Sequence, residues 1–331
     1  MKILVTAPQG LTFDRHFPEH ILSQLRALGE VILNPFERQF TKDELRAQLQ
    51  DTDILITHWG TPQITGDLLA AAPKLKLLAH GAGTVAHIAS EAFYEKGVPV
   101  ISANSVMAKY VAESVLAYIL AALHRIPQMD SAMHEGRWTR LHGEVQSLSG
   151  SAIGLIGLGS VGRNLLDYLR PFRVKVHVYD PYLSENALDP WDYAHACSFE
   201  TAMEQPIVSV HAAQTPETFH MINARALAMM PEGGLLVNTA RGSLVDTQAL
   251  AEELKAGRIR AVLDVFEKEG EGNAPGELAR YDNILLQPHM AASAVTYQMT
   301  QAIIDDIRRL LTGEKLTLEI PLSQYRLMTQ E

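Results

Sequence analysis

The stretch Ile153-Gly154-Leu155-Ile156-Gly157-Leu158-Gly159-Ser160-Val161-Gly162-Arg163 decides the fold. It reads as a buried strand, a Gly157-x-Gly159-x-x-Gly162 turn, and a helix whose apolar stripe continues through Leu165, Leu166 and Leu169. A dinucleotide pyrophosphate requires that order. The first glycine permits the tight turn, the second lets backbone approach the phosphates, and the third lets the helix pack on its strand. The helix N-terminus then offers unpaired amides to the anion at the positive end of the helix dipole. The glycine pattern alone is a weak signal. It gains weight from a second strand, Lys175–Tyr179, that ends at Asp180, 23 residues after Gly157. A carboxylate there accepts from a ribose 2′-hydroxyl and repels a 2′-phosphate, so the expected cofactor is NAD.

Working outward, residues 151–288 alternate strand and helix, with strands expected near 153–157, 175–179, 207–210, 234–238, 260–263 and 284–287. Residues 1–102 alternate in the same way, with strands at 2–6, 31–33, 53–57, 75–79 and 98–101. Continuously apolar strands between helices mean parallel sheets covered on both faces. The fold class is therefore α/β with two doubly wound parallel-sheet domains. One is a Rossmann dinucleotide-binding domain, and the other is a smaller, flavodoxin-like substrate domain. Met107–His124, free of Gly and Pro, predicts a long helix crossing between them. A last helix over 292–311, stopped by Thr312-Gly313, leads back to the first domain. The expected division is 1–102 plus 296–331 for the substrate domain and 103–295 for the NAD-binding domain. Further helices are expected at 18–28, after Thr41 with Glu44 closing a capping box, at 65–71 and at 87–96.

Composition narrows the class. At 331 residues, 47% hydrophobic and 20% charged, the chain is long enough for two cores. A net charge of −10 argues against nucleic-acid partners. Cys197 is the single cysteine, with no basic neighbour in sequence to activate it, and reads as an inert thiol in a reducing compartment. Pro8 and Gly10 break the apolar start, which does not read as a signal peptide, and the longest apolar run, 115–123, is short for a membrane span. The expectation is a cytoplasmic protein with no membrane partner. The histidines show no metal-ligand spacing, so no metal is expected.

Chemistry is expected at the carboxyl ends of the later strands, where ligands of such sheets bind. Asn238-Thr239-Ala240-Arg241-Gly242 follows one strand, and Arg241 there could fork a substrate carboxylate. Position alone leaves a surface arginine open as well. Asp264-Val265-Phe266-Glu267-Lys268-Glu269 follows the next strand; Glu267 beside Lys268 reads as a solvated face, and Asp264 as part of the site. Gln287-Pro288-His289 follows the last. His220 and ten of the other histidines lack such a context. A His poised near neutrality, a carboxylate partner and an arginine meet the needs of hydride transfer to a 2-oxo acid.

These pieces together closely resemble the D-isomer-specific 2-hydroxyacid dehydrogenase family. The resemblance rests on Gly157-x-Gly159-x-x-Gly162 with Asp180, Val208–His211 followed by Thr215-Pro216-Glu217-Thr218, Asn238–Gly242, Asp264-Val265-Phe266-x-x-Glu269, and Pro288-His289. It implies that Arg241 binds the substrate carboxylate and oxo oxygen, that His289 is the acid–base residue, and that Glu269 rather than Glu267 is its partner. It further implies that Ser160 and Val161 offer amides to the pyrophosphate, that Asp264 holds the nicotinamide carboxamide, and that Thr218, Thr239, Ala240, Arg241 and His289 line the cofactor groove. Ala82 and Gly83 are implied to close on the substrate, with Asn104 near a hinge, in a chain that pairs as a homodimer. The sequence departs from the family at Val85–Ile88, at Ala212–Gln214 and at Gly270, which opens an expected flexible Glu-Gly-Glu-Gly-Asn stretch. The catalytic three are intact. An NAD-sensing corepressor-like interaction module on the same fold is the rival reading, and oxidation of formate or phosphonate a third.

Overall fold

Buried strands need helices on both faces, and the chain supplies them twice. The computed structural model describes residues 1–138, 144–270, 272–273 and 275–329, so His142, Glu271 of the expected flexible stretch, and the last two residues lie outside the described residues. Two compact units result, Met1–Met107 with Ser293–Glu331, and Ala108–Ala292.

In the first unit the strands are β1 (Lys2–Val5), β2 (Glu30–Leu33), β3 (Ile54–Thr57), β4 (Leu77–His80) and β5 (Val100–Ser102). All pair in parallel in the order β2-β1-β3-β4-β5, the flavodoxin-type arrangement. β3, β4 and β5 are buried along their whole length, as a doubly covered parallel sheet requires. The capping box forms: Thr41 Oγ1 accepts from the Glu44 amide at 3.3 Å, and Glu44 Oε2 accepts from the Thr41 amide at 2.7 Å.

Two helices differ from expectation. The one expected over 87–96 shrinks to Ala92–Glu95. The Ile88 carbonyl accepts from the Ile64 amide at 2.7 Å, and the Ser90 hydroxyl donates to the Ile64 carbonyl at 2.9 Å, cross-chain bonds that replace the first helical turns. The one expected from 292 starts at Tyr297, because the Thr296 amide is taken by Gln298 Oε1 and its carbonyl by His16 Nδ1. Gly313, at φ 74°, ends that helix as expected. Within it Asp306 is fully buried and accepts from the Thr317 and Leu318 amides and from Arg309. Burial pushes its carboxyl up, but these hydrogen bonds outweigh it and hold the group below its ordinary value. They lead the chain into an antiparallel strap on β5, where Ser102 donates to the Leu318 carbonyl and Ile320 to the Val100 carbonyl.

β4 ends in His80, whose side chain is fully buried with Nδ1 3.0 Å from Thr57 Oγ1. Burial first, and the neighbouring His87 second, push its pKa down to about 3. Unfolded, the same imidazole protonates near pH 6.5, so acid favours the unfolded chain between those values. Stability present above pH 6.5 is expected to fall by about 1.4 kcal/mol per pH unit for this residue. In urea titrations at pH 6.5 and 4.5, His80→Asn should flatten that dependence; an unchanged slope would exclude His80 as a cause.

The second unit holds β6 (Ala152–Ile156), β7 (Lys175–Tyr179), β8 (Ala194–Ala196), β9 (Ile207–Val210), β10 (Leu235–Asn238), β11 (Arg260–Leu263) and β12 (Ile284–Leu286). All are parallel, in the order β12-β11-β10-β9-β6-β7-β8. This is seven strands against the six expected. The added β8 is Ala-His-Ala at an edge, with two of its three residues exposed and no apolar run to announce it. The chain leaves β6 towards β7 and returns on its other side at β9, which places the topological switch point beside Gly157.

The helix Asn104–Leu123 spans the boundary between the units and begins three residues earlier than expected. An 18-residue window of it has a mean hydropathy of 1.6, so by length and composition alone the whole helix, unlike its 115–123 run, is long and apolar enough to cross a membrane. Its buried positions are Ala108, Val111, Ala112, Val115, Ile119 and Leu123, the spacing of one helical face.

Candidate active site

The glycine turn fits its expected burden position by position. Gly157 has φ 93°, and a Cβ there would lie 2.7 Å from the Ala212 amide nitrogen, so both conformation and space demand glycine. A Cβ on Gly162 would press the Gly157 carbonyl at 3.1 Å and Leu155 at 3.2 Å, which is the close helix–strand packing. Gly159 is different: a Cβ would meet nothing, so the second glycine opens onto space at the N-terminus of the helix Ser160–Leu169. The first amides of that helix, including those of Ser160 and Val161, have no partner within it.

Asp180 sits at the end of β7. Its Oδ2 accepts from the Leu158 amide at 2.8 Å and its Oδ1 from the Tyr182 amide at 2.8 Å, so it braces the glycine turn. Each carboxylate oxygen keeps a further lone pair for a ribose hydroxyl. Thr239 Oγ1 is buried with no hydrogen-bond partner among the described residues, which a cofactor hydroxyl or amide would satisfy. The Thr218 hydroxyl donates to the Ala213 carbonyl at 2.7 Å and accepts from the Thr215 amide at 2.8 Å, closing the turn after β9. These residues fit a bound NAD.

Three strand ends lie side by side, since Asn238 registers with Leu263 and Leu263 with Leu286. Adjacent strands run roughly 5 Å apart. After β10, Asn238 folds its own turn: Oδ1 accepts from the Ala240 amide at 3.1 Å and Nδ2 donates to the Arg241 carbonyl at 2.9 Å. Arg241 leaves that turn half-buried, with one guanidinium nitrogen on the Ala240 carbonyl at 2.7 Å. Gly242 packs directly on the next strand's loop, where a Cβ would overlap the Phe266 carbonyl and the Glu267 nitrogen. The loops bearing Arg241 and Glu269 therefore touch through backbone.

After β12, His289 occupies left-handed backbone at φ 57°, an uncommon setting for a side-chain-bearing residue. Its Nδ1 lies 2.8 Å from Glu269 Oε2. The two side chains are 52% and 42% exposed, open enough for a substrate to reach the pair. Glu269 Oε1 also accepts from the Phe266 amide at 3.3 Å.

Asp264, expected against the nicotinamide, is fully buried, and its oxygens accept from the Met290 and Ala291 amides at 2.8 and 3.0 Å. Burial raises its pKa, opposed by those two bonds. Its observed work is to fix the segment that follows His289. Ser114, which no sequence pattern marked, donates to the Ala291 carbonyl at 2.8 Å and ties that segment to the long helix. Glu267 corrects the reading of it as a solvated face. Its Oε1 accepts from the Thr247 amide at 3.0 Å, at the first turn of the helix Thr247–Lys255, and its Oε2 lies 3.2 Å from His220 Nε2. His220 likewise has a context that its sequence surroundings did not show.

In the first unit, Ala82 and Gly83 follow β4. Ser102 Oγ donates to the Gly83 carbonyl at 2.6 Å and accepts from the Asn104 amide at 3.2 Å. A Cβ on Gly83 would press Met107 at 2.7 Å. Val85, Ala86 and Ile88, the departing loop, belong to that unit's core. Among the described residues no cluster of His, Cys, Asp and Glu is arranged to hold a metal.

The family model described as "D-isomer specific 2-hydroxyacid dehydrogenase, NAD binding domain" matches residues 116–291. D-3-phosphoglycerate dehydrogenase of Methanocaldococcus jannaschii is 33% identical over 318 residues, which are 95% of this chain but 58% of that protein, so the chain spans little more than half of this relative's length. Glyoxylate reductase of Thermofilum pendens is 32% identical over 315 residues, 91% of each chain. A solved protein of Thermus thermophilus superposes with a TM-score of 0.75 at 28% identity, covering 97% of this chain and 100% of that one.

Proposed function

The chain belongs to the D-isomer specific 2-hydroxyacid dehydrogenase family, and from that premise we propose that it transfers a hydride between NAD(H) and a small (R)-2-hydroxy acid or its 2-oxo counterpart. The observation that carries this reading is the 2.8 Å contact of His289 Nδ1 with Glu269 Oε2, on a strand end in register with the one leading to Arg241. An ionised Glu269 only accepts, so Nδ1 carries a proton and Nε2 is the nitrogen left for substrate.

Bound NADH supplies the hydride. Arg241 presents two parallel N–H donors to the substrate carboxylate, fixing C2 in place. As C2 is reduced, His289 Nε2 gives its proton to the oxo oxygen, and Glu269 stabilises the imidazolium that precedes the transfer. In oxidation the same nitrogen takes the hydroxyl proton. Asp264 and Ser114 keep the His289 segment in place throughout. Asp180 selects NADH by accepting from the ribose.

Glyoxylate, hydroxypyruvate, pyruvate, branched 2-oxo acids and phosphohydroxypyruvate, each offered with NADH and with NADPH, test the reading. Turnover of at least one acid, faster with NADH, is the expected result. NADPH as the better donor would remove the role given to Asp180. NADH binding without turnover of any acid would leave the NAD-sensing alternative standing. Arg241→Lys should raise KM for the active acid at least tenfold, since lysine cannot make the forked contact; unchanged KM and kcat would remove the carboxylate clamp.

A further inference from the structure

A second histidine–carboxylate pair stands two residues from Glu269 and takes no part in the proton transfer. His220 Nε2 lies 3.2 Å from Glu267 Oε2, with the two side chains 30% and 32% exposed. Both partners are fixed from behind. His220 is in left-handed backbone at φ 50°, its amide donates to the Ser243 carbonyl at 2.8 Å, and the Phe219 ring stacks on the imidazole at 4.0 Å. Glu267 takes the Thr247 amide with its other oxygen, where the helix Thr247–Lys255 favours negative charge. Burial pushes the Glu267 carboxyl up, yet its bond from Thr247 and its close approach to the His220 imidazole prevail and keep it below its ordinary value.

The loop 264–269 is thus held at three places. Asp264 anchors its start, Gly242 lies against Phe266, and Glu267 is gripped between a helix end and an imidazole. Glu269 follows immediately, and its Oε2 reaches His289. We infer that His220 and Glu267 form a positioning pair for the hydride-transfer site, acting through the loop to hold Glu269 against His289. This rests on the dehydrogenase reading above. A loop displaced by ~1 Å can cost up to 10²-fold in rate without touching the reacting atoms. Because the pair is partly solvated, about tenfold is expected.

His220→Asn and His220→Gln separate positioning from bulk structure. Asparagine tolerates the left-handed backbone but is too short to reach Glu267, whereas glutamine again brings an N–H group up to the carboxylate. His220→Asn should lower kcat for the active 2-oxo acid about tenfold, with KM for acid and for NADH within twofold. His220→Gln should return kcat to within threefold of the unaltered chain. Hydrogen exchange over residues 264–270 should quicken in the Asn variant and not in the Gln variant. Wild-type kcat in the Asn variant, or a Gln variant as slow as the Asn one, would overturn the inference. If the unaltered chain turned over no acid at all, the dehydrogenase reading would fall, and the exchange comparison would still decide whether His220 holds the loop.

Discussion

Replacing His289 with Gln lowers turnover in 2-oxo acid reduction by about 10²–10⁴-fold, the usual contribution of a positioned general acid. Glutamine is close in length and can still donate to Glu269, so the loop is kept while the transferable proton is lost. NADH affinity should stay within a few-fold, because the glycine turn and Asp180 lie on other strands. Single-turnover rates at saturating NADH and acid read the chemical step directly. Reduction that proceeds undiminished would end the assignment of His289. A loss confined to KM would instead make it a binding group.

Gly242→Ala is expected to be nearly as damaging for a different reason. The added methyl would overlap the Phe266 carbonyl and the Glu267 nitrogen, which are backbone and cannot swing aside as a side-chain tip would. One of the two loops must retreat. Arg241 is the preceding residue on one loop, and Glu269 lies just ahead on the other, so either retreat separates the carboxylate clamp from the acid–base pair. The expected outcome is a loss of kcat/KM of roughly 10²-fold. An accompanying loss of about 1–3 kcal/mol of stability is the usual cost of overpacking. Circular dichroism and a urea titration establish that the variant is folded before its kinetics are read. A folded Gly242→Ala variant with normal kcat/KM would show that the two loops need not touch.

The strand ends were legible because each is announced by a continuous apolar run, and a buried parallel sheet permits nothing else. The Gly157 turn was legible for a stronger reason: Gly157 and Gly162 each answer to a separate steric demand, and Gly159 leaves open space at the helix N-terminus. What joins the ends was not legible. Ser114 reaches Ala291 across 177 residues of sequence, and no local pattern marks such a pair. Glu267 beside Lys268 has the composition of a wet surface, and only the packing of a distant turn brings His220 to it. β8 escaped because Ala-His-Ala at a sheet edge is held by its neighbour rather than by burial. Local pattern carried the scaffold, and long-range hydrogen bonds carry the alignment of the site.

The strap of Leu318–Ile320 along β5 has a consequence for how the chain is made. Unit 2 has all its strands once residue 286 has emerged, but unit 1 stays open at β5 until the chain beyond residue 320 has been synthesised. At 5–20 residues per second, that interval after residue 102 lasts roughly ten to forty seconds. Throughout it a ribosome-bound chain carries a nearly finished first sheet with an unpaired edge, the kind of surface that recruits strands from other molecules. During synthesis the first sheet begun is the last one closed, and until then β5 offers a nascent copy's neighbours an open edge.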